Sequence, residues 1–310
     1  MIERQTPVVY SKGELEHWRN ELQDLQGDYS GDPAIRNVIS KVQNMKDVLY
    51  PVLGRHMEKS RVASKPDFFS YSLMQLDKRA WDEHGKGRNS HALMEIIPNV
   101  KVVLINDRGL IEESFKGRLD LRIMTLHSLI HEAVHSIAPN AKIIKKTPSG
   151  FFLHEKQGIR HSVIPVLEAG QGKTEPDMRK PVYVLDFLDE ALVDELAEEV
   201  VRELSSTAGL FSPAELDKFY ASRSAPQNYF GGTQRLLNGI TRSMAQKTGV
   251  EERVVRGSLR RAAIEGRNLF LGDSNVPALD EVLGKHFTRD LSTIHDPFTL
   301  EAFIEKYSLE

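Results

Sequence analysis

From about Arg118 to Ile137 apolar residues recur at steps of three and four: Leu119, Ile123, Leu126, Ile130, Ala133, Val134 and Ile137. That period predicts an amphipathic helix, ended by Ala138-Pro139-Asn140. Inside it stands His131-Glu132-Ala133-Val134-His135, an H-E-x-x-H. Side chains four apart on a helix share a face one turn apart, so both imidazoles can point at a single ion. Glu132 projects to the side, where its carboxylate can take a proton from water held by that ion. The plainer alternative is a pair of surface histidines on an amphipathic helix. The apolar flanks "LHSLI" and "AVHSI" point instead to a largely buried segment.

A catalytic zinc takes three protein ligands and keeps a fourth position open. The sequence predicts a second long helix at about Tyr183 to Leu204, "YVLDFLDEALVDELAEEVVREL". On it Glu190 shares a stripe with Val193, Ala197 and Val201, while Glu195, Glu198, Glu199, Arg202 and Glu203 fall mostly on faces that can be solvated. A carboxylate on an apolar stripe needs a partner, and a metal is a strong one. The alternative is that Glu190 is one acid in a charged helix. Asp194 lies one turn further along, placed to accept the free N–H of a liganding imidazole. His127 extends the histidine row by one turn and reads first as a hydrogen-bonded core histidine.

"HEAVH" followed by "DEALVD" resembles the gluzincin class of zinc metallopeptidases, the thermolysin-like enzymes, whose second helix carries Asn-Glu-Ala-x-x-Asp. The resemblance spans residues 100–205 in outline and implies that His131, His135 and Glu190 bind zinc, that Glu132 is the general base and that Asp194 supports the ligands from behind. Asp189 stands where that pattern has Asn, and the interval between the helices is longer than in thermolysin, so the middle segment is an elaboration. The resemblance further implies that the strand before the motif helix forms the cleft edge on which an extended peptide pairs as an added strand. The β-branched run "VKVVLI" at residues 100–105 is the strand so placed. A tetrahedral intermediate needs an oxyanion donor, commonly His or Tyr in these enzymes. By chain position the candidates are His154, His161 and Tyr229, and we take Tyr229 because "NYF" opens a helix.

Composition limits the alternatives. The 310 residues include no cysteine, which removes thiolate zinc sites, thiol catalysis and disulfides and leaves His and carboxylates to hold any metal. With 41 basic against 44 acidic residues, no large positive field is available for a phosphate backbone, so no nucleic-acid partner is expected. No leader segment or membrane-spanning apolar run is read, and the expected location is the cytoplasm. "LEAGQGKT" at 167–174 lacks the first glycine of a phosphate loop and is followed by Pro176, which excludes nucleotide binding there. The basic run "RGSLRR" at 256–261 reads as a solvated helix face.

The first ninety residues look mainly helical, with Asp32-Pro33 as a helix start, and "DEHGKGRNSH" at 82–91 reads as a boundary loop. Residues 138–182 read as irregular with short strands, including a hairpin around Lys156-Gln157-Gly158. The remainder reads as helices punctuated by Gly and Pro. The expected fold is α+β, mainly α: a zincin-like metallopeptidase core at 91–310 with a short sheet, the motif helix and a second ligand helix, and an N-terminal helical region at 1–90. The expected function is a zinc-dependent peptidase acting on peptide or protein substrates. The alternatives are a non-catalytic helical binding module that retains the motif, and a zinc hydrolase of a non-peptide amide.

Overall fold

The structure is a computed structural model that describes residues 6–7, 31–59, 71–73, 92–97, 100–138, 140–147, 150–157, 159–169, 173–176, 182–225, 229–265, 276–294 and 297–309. In the strands the backbone alone is described, except at Ile105. Residues 8–30 of the mainly helical N-terminal region and the boundary loop at 82–91 lie outside the described residues. The chain forms two compact units, one of residues 1–9, 138–192 and 232–310, the other of residues 10–137 and 193–231.

The second of these units holds helices α1 (Pro33–Asn44), α2 (Lys46–Lys59), α3 (Asp107–Gly117) and α4 (Leu121–Ile137). Asp32 caps α1 by accepting the Ala34 amide at 2.7 Å, as the Asp-Pro start predicts. Strands β2 (Tyr71–Leu73), β3 (Ala92–Ile97) and β4 (Val100–Ile105) make a three-stranded sheet in the order β2-β4-β3. β4 pairs antiparallel with β3 and parallel with β2.

The first unit holds the six-stranded sheet of β1 (Thr6–Pro7), β5 (Asn140–Thr147), β6 (Gly150–Gln157), β7 (Arg160–Ala169), β8 (Lys173–Pro176) and β9 (Val182–Val184). Its order is β1-β5-β6-β7-β8, with β9 also on β7. The β6–β7 hairpin closes from Gln157 to Arg160, where the sequence places it. Helix α5 (Asp186–Ala208) runs on from this unit, past Leu192, into the second, which α6 (Pro213–Arg223) completes. The C-terminal helices are α7 (Tyr229–Thr248), α8 (Glu252–Glu265), α9 (Leu279–Leu283), α10 (Phe287–Leu291) and α11 (Pro297–Tyr307). They bury Leu236, Leu237, Ile240, Leu259, Phe287 and Phe303 in one cluster with Leu188 and Leu192 of α5.

The expected α+β zincin-like fold is corrected by this arrangement. The interior formed by the described side chains is all-α: apart from Ile105 in β4 and Ile159 at the β6–β7 turn, the buried hydrophobic residues lie on helices or on the segments next to them. A zincin core whose sheet edge precedes the motif helix is not seen either. β4 has a neighbour on both sides, β3 along Val100–Ile105 and β2 at Lys101–Val103, so its middle is not a free edge for an added peptide strand. The run "VKVVLI" identifies a strand through its β-branched residues. Whether that strand is an edge depends on β2, about thirty residues away in the chain, and no local pattern records it.

Candidate metal centre

Helix α4 starts where the Asp120 carboxylate accepts the Arg122 amide at 2.9 Å. From Ile123 to His135 every residue except Ser128 is buried, the polar side chains of Thr125, His127, His131, Glu132 and His135 included. Two surface histidines are therefore not what the motif represents. Four-residue spacing brings His131 and His135 together, with their Nε2 atoms 3.1 Å apart. Two nitrogens bound to one tetrahedral zinc at about 2.0–2.1 Å each would stand about 3.3 Å apart, so the pair has the separation that a shared ion requires.

Helix α5 is continuous through Glu190 and Asp194, one turn apart on one face. One ligand atom from each of His131, His135 and Glu190 lies within 4.8 Å of the others. Two imidazoles and a carboxylate suit a borderline divalent ion, and the residues fit one. These buried and half-buried His and Glu groups could hold a metal ion. Asp189 is buried and its Oδ1 accepts the Ile159 amide at 3.2 Å, which gives an acid at that position a structural use.

A second group, His127, His131 and Asp194, is also close enough to hold an ion. Here the cation is already supplied by the protein. Arg223 donates from both terminal nitrogens to Asp194, to Oδ2 at 2.6 Å and Oδ1 at 2.5 Å. His127 Nε2 lies 2.8 Å from Asp194 Oδ1 and its Nδ1 lies 3.0 Å from the Tyr220 hydroxyl. His127 is thus a hydrogen-bonded core histidine. His131 Nδ1 is 3.7 Å from Asp194 Oδ1, beyond a direct hydrogen bond but within reach of its charge.

The electrostatics follow from this packing. Burial, reinforced by the positive charge of Arg223, pushes the His127 imidazole down to about 4. Burial alone would raise the Asp194 carboxyl, but Arg223 and His127 outweigh it and hold the group well below the usual carboxylate range. Burial also pushes the Tyr220 hydroxyl up. Asp194 therefore carries its charge in the interior, where it can orient an imidazole N–H.

Tyr220 and Arg223 were missed in the sequence. Both lie on α6, whose buried stripe is Leu216, Phe219, Tyr220 and Arg223. An arginine ending an apolar stripe was the available signal, because such a charge is buried only against a partner. Tyr229 is the first residue of α7, and His154 and His161 lie in β6 and β7; their side chains are outside the described residues. Among the described residues no helix is long and apolar enough to cross a membrane. No protein-family model, curated protein or solved structure matches the chain.

Proposed function

We propose that this protein is a zinc-dependent peptidase, with His131, His135 and Glu190 as the zinc ligands and Glu132 as the general base. The observation that carries the reading is the convergence of the two Nε2 atoms at 3.1 Å beside the Glu190 carboxylate, on a helix whose intervening Glu132 is itself buried. A bound zinc supplies Lewis acidity, lowering the pKa of water to around 7 and polarising a carbonyl.

The chain's own residues do the rest. Glu132 accepts a proton from the attacking water as the new C–O bond forms, then passes it to the amine nitrogen as the C–N bond breaks. Asp194, anchored by Arg223, keeps His131 in place behind the site. Peptides and proteins are the proposed substrates.

The test is zinc content per chain in the wild type and in Glu190→Ala, followed by digestion of an unbiased peptide library by the wild type and by Glu132→Gln. About one zinc in the wild type, less in Glu190→Ala, and a library cut by the wild type alone support the reading. The Glu132→Gln variant should keep its zinc and lose at least about 100-fold in rate. A wild type that takes up no zinc ends the proposal. A zinc-loaded wild type that leaves the library uncut moves the site to amides other than peptides.

A further inference from the structure

We infer that Arg223 is a positioning residue of the metal centre: by clamping both oxygens of Asp194 it fixes the carboxylate that turns His131, with Nδ1 toward Asp194 and Nε2 toward His135. The inference rests on the zinc reading for its functional meaning, but its structural content is separate.

Arg223 is on α6, Asp194 on α5 and His131 on α4, so the chain of contacts crosses three helices. A carboxylate with one partner can rotate about its last bond. Here each oxygen receives its own guanidinium nitrogen, at 2.6 Å and 2.5 Å, and the planar fork leaves one orientation. The guanidinium carbon itself lies 3.5 Å from the centre of the Phe230 ring, a cation against an aromatic face. Asp194 Oδ1 then faces both His127 Nε2 and His131 Nδ1. A proton on His131 Nδ1 is favoured by that charge, which leaves the Nε2 lone pair pointing to the place where His135 Nε2 also points. Arg223 also supplies the positive charge that Asp194 would otherwise seek from an ion.

The test uses the full chain as wild type, Arg223→Met and Arg223→Lys. In metal-free protein, long-range proton–nitrogen correlation of the histidine rings reads the His131 tautomer. The wild type should show Nδ1–H alone, and both variants a mixture with Nε2–H. Competition against a chelating dye then gives zinc affinity, expected to fall by about 10- to 100-fold in Arg223→Met, as for other outer partners of metal ligands. Circular dichroism reports folding. If Arg223→Met does not fold, Arg223→Lys decides, since it keeps the charge without the fork. A folded variant with the wild-type tautomer, or with unchanged zinc affinity, overturns the inference. A wild type that binds no zinc but whose His131 tautomer shifts in the variants removes the peptidase reading and leaves Arg223 assigned to His131.

Discussion

His127 shows how a single buried side chain makes stability depend on pH. Its folded-state pKa, about 4, lies below that of the same ring in the unfolded chain, near 6.5. Between those values the unfolded chain binds a proton that the folded protein refuses, so stability falls as pH drops from about 6.5 to about 4. Above that window the ring is neutral in both states and contributes no slope. Asp194 works in a different window: its lowered pKa gives stability that is complete above about 4 and is lost only as pH falls through its folded value. We predict that urea unfolding from pH 7 to 4.5 shows a steeper loss in the wild type than in His127→Gln, by up to roughly 1.4 kcal/mol per pH unit. Parallel profiles for the two proteins would contradict it. The site residues divide by how local their signals are. Two pairs, His131 with His135 and Glu190 with Asp194, were legible because helix geometry alone sets which residues share a face, and only the resemblance to a known ligand pattern joined one pair to the other. Arg223 was not, because its partner lies 29 residues away and only folding brings the two together.

At the level of elements, the same substitution should have opposite signs in two neighbouring helices. A Cβ on Gly239 of α7 would stand 2.2 Å from the Leu309 carbonyl oxygen, so this glycine is what lets Leu309 lie against the helix. Gly257 of α8 has nothing within 4 Å of a Cβ. Gly257→Ala should stabilise by about 0.5–1 kcal/mol through lower backbone entropy in the unfolded chain. Gly239→Ala should destabilise by roughly 1–3 kcal/mol through overpacking. Thermal melts of both variants check the pair, and a shared sign would refute the packing argument. Helix α6, which carries Tyr220 and Arg223, begins at a capping box in which Ser212 Oγ accepts the Glu215 amide. Ser212→Ala should cost about 1 kcal/mol by the same measurement. The helices were the most legible elements, with errors at their ends. The apolar period before the motif extends back to Leu119, yet Arg118 at φ 51° closes α3 and the motif helix starts at Leu121. A left-handed residue other than glycine leaves no mark in the sequence. Residues 138–182 read as irregular with only short strands because lysines interrupt runs such as "AKIIKK". The ladders there are set by pairing between strands, which one strand's pattern does not record.

For the molecule as a whole, a metal bound at the proposed centre would be coupled to folding. The proposed ligands lie on two helices 55 residues apart in the chain from His135 to Glu190, and the unfolded chain cannot hold them at the separations found here. Zinc at 100 times its dissociation constant should therefore stabilise the folded protein by up to about 2.7 kcal/mol, less whatever the unfolded chain's 11 histidines bind. For a chain of this size that is a rise in Tm on the order of 5 °C. A chelator should reverse the rise. Glu190→Ala should show little of it, because two imidazoles from one helix turn remain without the carboxylate that ties α5 to them. Magnesium should not substitute, since it prefers oxygen ligands in octahedral geometry and two of the three donors here are nitrogens. The measurement is differential scanning calorimetry of both proteins with chelator, zinc and magnesium. An equal zinc shift in wild type and Glu190→Ala would mean that the ion binds elsewhere, and the two-helix centre would have to be abandoned whatever the digests show.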